Sequence, residues 1–286
     1  MTRPAGGTPT DSCPAVDYRG AMDAPLWTET HAPALSELPQ ADARERLTRV
    51  VDEPMNVVIQ GPAGVGKTAA ARALARETHA DPENDLVEIN VADFFGRTKK
   101  EIREDPRFES FLTGRSRMAK RDMINRVLKE SASYAPVSGE FKTILLDNAE
   151  AIREDFQQAL RRVMERFHRN TQFVLTARGA SKLIPPIRSR CFAVPMRAPT
   201  MAETVAVLRR IVEAEEVPYD DAALGIVAAH RRGDLRHAVL AAQTVAAQEG
   251  ELVTETVHEP LREVGQHDVL LGVLRDAREG EVRSAR

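Results

Sequence analysis

The chain has 286 residues, 42% of them hydrophobic, which is long for one compact domain and enough for two real cores. Its formal net charge of −3 singles out no class of partner, because local patches of opposite sign cancel in the sum. Two cysteines (Cys13 and Cys191) and seven scattered histidines exclude a disulfide framework and suggest no metal site, and the lack of a membrane-length apolar run or signal-peptide core points to a soluble cytoplasmic protein with no membrane contact.

Residues 1–23 are rich in Pro, Gly, Thr and Ala without periodicity and are predicted to be disordered, with Met22 an alternative first residue. A predicted strand at Asn56–Gln60 runs into Gly61-Pro62-Ala63-Gly64-Val65-Gly66-Lys67-Thr68 and then into the helical, Ala-rich stretch Ala69–Ala75. Strand, glycine-rich loop and helix in that order are the context a phosphate-binding loop needs. The glycines let the backbone N–H groups curl toward a β-phosphate, and the positive end of the following helix adds to the field. Lys67 would reach the β/γ oxygens and Thr68 would offer its hydroxyl to Mg²⁺, so the loop predicts binding of a nucleoside triphosphate, ATP. A chance glycine-rich turn is the bland alternative.

Further strands are predicted at Leu86–Val91, Lys142–Asp147, Gln172–Thr176 and Phe192–Pro195, alternating with helices. That alternation predicts an α/β domain with a parallel sheet covered on both faces. Between the second and third strands, residues 97–130 form a basic stretch in which Lys99, Lys100, Arg103 and Arg121 are candidate DNA-backbone contacts; a solvated charged face is the alternative. Phe108, Phe111 and Leu112 are expected to seat this stretch on the core rather than stack on bases.

Ile144-Leu145-Leu146 ending in Asp147 reads as a Walker B strand whose carboxylate holds the water shell of Mg²⁺ opposite Thr68, a helix cap being the alternative. Asn148 follows, where many such ATPases carry Glu. An amide accepts a hydrogen bond from water but cannot take its proton, and losing a general base costs roughly 10²–10⁴-fold in rate. Glu150 is a possible partial substitute. Phe156, Leu160, Val163, Met164 and Phe167 then mark one face of a helix. Pro185 and Pro186 stiffen the approach to Arg190, which could act as an arginine finger or simply pair with a surface carboxylate. Thr200 and Glu203 form a capping box that opens an all-helical region, with helices at Met201–Glu215, Asp221–His230 and Gly233–Gln248. Another helical segment is expected from about Thr254.

Several motifs in order make the chain resemble the small subunits of replication factor C, the sliding-clamp loaders within the AAA+ ATPases. They are Trp27-Thr28-Glu29 with Pro33, the phosphate loop, Val87 to Asp93, the Walker B strand, Gln158 to Glu165, Ser189-Arg190-Cys191 and Gly233-Asp234-Leu235-Arg236. The resemblance implies an AAA+ P-loop domain over 24–199, a three-helix lid over 200–250, and the start of an all-α collar over 251–286, apparently truncated. It also implies sibling subunits, a sliding clamp and primer–template DNA as partners. Arg190 then resembles the finger acting in trans on a neighbour's ATP, and Arg236 the lid sensor of this subunit's own nucleotide. Arg178 stands where the family's polar sensor is usually Asn, and His31-Ala32 replaces the pair that lines the adenine pocket. The pattern is similar to the loader subunit that donates a finger yet hydrolyses poorly. Rival readings are a nucleotide-bound scaffold without turnover and another P-loop AAA+ ATPase.

Overall fold

A computed structural model describes residues 25–105 and 119–262. The expected disorder of 1–23, the part of the basic stretch with Phe108, Phe111 and Leu112, and most of the expected collar lie outside the described residues, as do the side chains of Arg103 and Arg121.

Strands β1 (Val57–Gln60), β2 (Leu86–Asn90), β3 (Lys142–Asp147), β4 (Thr171–Ala177) and β5 (Phe192–Pro195) form one sheet in the order β2-β3-β4-β1-β5, every neighbouring pair parallel. Helix α1 (Ala41–Asp52) and α2 (Lys67–Thr78) belong to one face; α3 (Lys120–Ser133) and α4 (Glu154–Phe167) belong to the other. A parallel strand covered on both sides must be apolar on both, which explains the continuous apolar runs in β1, β3 and β4. The alternation of side chains sorts them. Val57, Ile59, Leu145 and Val174 join Leu47, Val50 and Leu74 in one core. Val58, Ile144, Leu146, Phe173 and Leu175 join Ile124, Val127, Phe156, Leu160 and Met164 in the other.

The helix face read at Phe156, Leu160, Val163, Met164 and Phe167 is the face α4 lays on the sheet, with the first, second and fourth of these buried and the other two packed against the same core. Strand limits shift by one residue in places. Val91 leaves β2 to open the short helix Val91–Gly96, and β4 gains Thr171 and Ala177 through pairing with its neighbours.

After β5 the chain turns into α5 (Met201–Ala214), α6 (Asp221–His230) and α7 (Leu235–Glu249). The capping box forms: the Glu203 N–H donates to Thr200 Oγ1 at 3.2 Å, and the Thr200 N–H donates to Glu203 Oε2 at 2.7 Å. The last helix starts two residues later than its sequence pattern suggests. Gly233 adopts a positive φ of 84°, and Asp234 becomes the N-cap, accepting from the His237 N–H at 3.0 Å.

These three helices bury Leu208, Ile211, Leu224, Val227, Ala242 and Val245 in a separate core. Two segments from elsewhere enter it. Trp27, assigned by sequence to the α/β unit, packs here, its backbone N–H donating to Gln243 Oε1 at 3.0 Å. Leu252, Val257 and Leu261, from the segment expected to begin a collar, complete the same core.

Candidate nucleotide-binding site

The phosphate loop leaves β1 at the carboxyl end of the sheet and returns as α2. Gly64 and Gly66 take positive φ values of 71° and 97°, a conformation L side chains rarely adopt, so the glycines here are required by the backbone. Close packing adds to this at Gly61, where a Cβ would sit 2.0 Å from the carbonyl oxygen of Met196. Gln40, buried and outside the loop, ties it down. Its Nε2 donates to the Val65 and Arg197 carbonyls, each at 3.1 Å.

Lys67 Nζ donates to the Pro62 carbonyl at 2.5 Å, holding the side chain back over the loop. Burial pushes its ammonium below the ordinary lysine range, while Glu150, then Asp147, pull it back up. Thr68 Oγ1 donates to Asp147 Oδ1 at 2.8 Å, so the predicted pair across the strand ends meets directly. Thr176, on β4, donates its hydroxyl to the same carboxylate oxygen and accepts the Asn148 N–H at 3.1 Å. One hydroxyl and one carboxylate are hard oxygen donors of the kind Mg²⁺ takes together with phosphates rather than in an all-protein cage. No cluster of three or more His, Cys, Asp or Glu occurs among the described residues. The donor set fits.

Asn148 sits in the left-handed region (φ 57°, ψ 45°) and turns the chain into the 3₁₀ turn Ala149–Ala151. Its amide donates to Asn90 Oδ1 and Asp147 Oδ2, both at 3.4 Å. Arg178 follows β4 directly, is exposed, and places Nε 3.7 Å from Glu150 Oε1. Glu150 Oε2 is buried with no hydrogen-bond partner among the described residues.

The helical region touches the loop through α7. The Arg236 N–H donates to the Gly64 carbonyl at 3.1 Å, and the Asp234 carboxylate lies where a Cβ on Gly64 would be, 1.9 Å from Oδ1. His237 Nδ1 meets Asp234 Oδ2 at 2.7 Å. The backbone of Arg236 is thus fixed at the loop, and its side chain is exposed.

Arg190 is not part of this constellation. Its Nη2 donates to Glu165 Oε1 at 2.6 Å and its Nη1 to the Pro186 carbonyl at 2.7 Å, on a part-exposed surface. Cys191 packs against the sheet core behind it, where burial pushes the thiol up to about 12. The short proline-started turn Pro185–Arg188 leads to Arg190, which is exposed at the surface.

The family model described as DNA polymerase III, delta subunit, matches residues 49–200. A replication factor C small subunit from Thermofilum pendens is 32% identical over 273 residues, covering 93% of this chain and 76% of that protein. One from Halobacterium salinarum is 31% identical over 239 residues, covering 82% of this chain and 66% of its own length. The chain belongs to the replication factor C small-subunit family. Solved structures of the same architecture include the RuvB branch migration motor of Thermotoga maritima (TM-score 0.54, 16% identity, 78% of this chain and 68% of that one). Another is Cdc6p from Pyrobaculum aerophilum (TM-score 0.59, 18% identity, 88% and 75%). At such identities they speak for the AAA+ α/β fold alone.

Within this family member, the structure brings Lys67, Thr68 and Asp147 together and sets Arg236 against the loop. It leaves Arg190 apart. His31 contacts Glu215 just beyond α5 and so joins the α/β unit to the helical region. Lys99 and Lys100 are exposed on the helix Lys99–Glu104, away from the loop's contacts, with Lys100 Nζ 3.9 Å from Glu104. Sequence reasoning missed Thr176, Gln40 and Asp234. Thr176 was visible as a lone hydroxyl in an otherwise apolar strand end, and Asp234 as the neighbour of Arg236. Gln40 gave no signal, because its role rests on two carbonyls distant in sequence.

Proposed function

We propose that this chain is an ATP-binding subunit of a replication factor C-like clamp loader, acting with sibling subunits, a sliding clamp and primer–template DNA in the cytoplasm. The carrying observation is the division of labour across the molecule. The loop Gly61 to Thr68 meets Asp147 through Thr68 and is touched by α7, while Arg190 pairs with Glu165 apart from it. At the surface, the guanidinium would leave Glu165 for a neighbour's phosphates, where such a finger is worth about 10³–10⁵-fold in rate.

In this reading, the loop N–H groups and Lys67 bind the phosphates, and the Lys67 ammonium leaves the Pro62 carbonyl to do so. Thr68 and Asp147 would hold Mg²⁺, which supplies charge neutralisation at the phosphates when bound. Arg236 reads the γ-phosphate from the lid, so lid position reports the nucleotide. Arg178 occupies the sensor position after β4. Lys99, Lys100, Arg103 and Arg121 would contact the DNA backbone without reading sequence. Triphosphate binding tightens the ring around DNA and opens the clamp; hydrolysis, completed with Arg190 at the adjacent site, releases both.

The test is single-turnover hydrolysis by the reconstituted complex. Arg190→Ala in this chain alone is expected to slow the neighbour's turnover by about 10³-fold or more, and Lys67→Ala to abolish ATP binding here by calorimetry. Asn148 and Arg178 favour one second reading, a nucleotide-bound scaffold. It prevails if Arg190→Ala leaves the rate unchanged and Lys67→Ala only loosens assembly.

A further inference from the structure

The sheet order decides which side chain faces the phosphate loop. Beyond the end of β3, the chain offers Asn148 and then Glu150. Asn148 turns toward β2, donating to Asn90 at the end of that strand. Glu150 turns the other way, toward β4, where it meets Arg178. Since β1 is the next strand beyond β4 and feeds the phosphate loop, the carboxylate on the loop side of β3 is Glu150, not residue 148. The left-handed conformation of Asn148 makes this possible: it swings the following 3₁₀ turn across the strand ends and delivers Glu150 two positions late. The carboxylate is part-buried, one oxygen is engaged by Arg178, and the other is buried without a hydrogen-bond partner among the described residues. A buried carboxylate oxygen left without a donor is costly unless something occupies it in the working state. Glu150 also ranks ahead of Asp147 among the anions that hold the Lys67 ammonium in its charged form.

The geometry points to Glu150 as the water-activating carboxylate of this chain's own site, withheld by Arg178 until a γ-phosphate competes for that guanidinium. The inference rests on the reading of Gly61–Thr68 as an ATP site. The water oxygen bonds to the γ-phosphorus, the bond from phosphorus to the β–γ bridging oxygen breaks, and its electron pair leaves with ADP. The water proton passes to Glu150 Oε1, the oxygen that Arg178 gives up. Arg178 is a positioning residue: its side chain is 74% exposed and its contact with Glu150 is long at 3.7 Å, so it is free to move to an incoming phosphate. Before ATP arrives, the pair neutralises the carboxylate beside Lys67; afterwards, Arg178 pairs with phosphate and Glu150 with water.

Two measurements test this. In the reconstituted complex, with every sibling's phosphate-loop lysine changed to alanine, any turnover belongs to this chain. Wild type should then hydrolyse ATP in a single turnover and Glu150→Gln should be slower by about 10²–10⁴-fold. Calorimetry on the purified chain supplies a readout independent of rate. Glu150→Gln releases Arg178 and should tighten ATP, but not ADP, by up to about fivefold, the worth of an exposed ion pair. That gain should vanish in the Glu150→Gln/Arg178→Ala double variant. A Glu150→Gln rate equal to wild type, or a wild-type rate no higher than that of Lys67→Ala, overturns the base. ATP affinity unmoved by Glu150→Gln, or a gain that survives Arg178→Ala, overturns the gate. Failure of wild type to bind ATP at all would remove the proposed function instead, and calorimetry tells the two apart.

Discussion

Glycines at single positions separate backbone need from mere sequence occurrence. Gly64 carries φ 71°, and its missing Cβ leaves room for the Asp234 carboxylate, which is itself committed to capping α7 and to His237. Alanine there must be strained and must displace that cap. Gly64→Ala should lose about 1–3 kcal/mol in urea unfolding and weaken ATP binding in calorimetry. Gly225 is the contrast: it lies inside α6 at ordinary φ with nothing within 4 Å of an added Cβ. Gly225→Ala should gain about 0.4–1 kcal/mol by restricting the unfolded chain, with ATP affinity unchanged. The motif spelling made Gly64 legible, whereas the Asp234 contact behind it needed the lid to be folded back.

Among the elements, α5 shows how a local signal sets a junction between two cores. Thr200 and Glu203 close its first turn, and Arg197, on the connector from β5, donates to both Glu203 oxygens at 2.7 Å. These hydrogen bonds, Arg197 first and Thr200 after it, hold the Glu203 carboxyl down at about 2, against an ordinary value of 4.5. A lowered folded-state value stabilises the fold above pH 4.5, and the contribution disappears as pH falls through about 2. Solvent screens the pair, since Arg197 is 52% exposed, so Glu203→Gln should cost about 1 kcal/mol at pH 7. Melts of the two proteins should converge between pH 4 and pH 2; a gap that persists at pH 2 would show the loss is packing, not charge. The capping spacing was readable because it is local. Arg197 as its partner was not, because nothing in a sequence says which connector residue will fold onto a helix start.

At the scale of the whole molecule, contacts from both sides join the nucleotide unit to the helical region. They include the Arg236 N–H on Gly64, His31 on Glu215, and the Trp27 segment, which leaves the α/β unit and packs into the helical core. A ligand at the loop should therefore stabilise both units together. ATP with Mg²⁺ at a hundred times Kd is worth about 2.7 kcal/mol if only the native state binds. Trp27 is the sole tryptophan and is buried in the lid, so its fluorescence reports that unit. Its urea midpoint should rise with ATP alongside the far-UV signal, and Lys67→Ala should abolish the shift. A tryptophan transition indifferent to nucleotide would mean that the lid melts on its own.

What the residues alone determined was whatever depends on near neighbours along the chain. The phosphate loop, the apolar strands, the α4 face and the α5 cap belong to this kind, because glycine conformation, side-chain alternation and helical periodicity operate over a few residues. Tertiary structure decided which groups meet from afar. The order β2-β3-β4-β1-β5 sends Asn148 toward β2 and Glu150 toward the loop side, and the lid's return places Asp234 on Gly64 and Trp27 among the lid helices. Those contacts join residues far apart in the chain, and strand order and domain packing, which no local pattern encodes, bring them together.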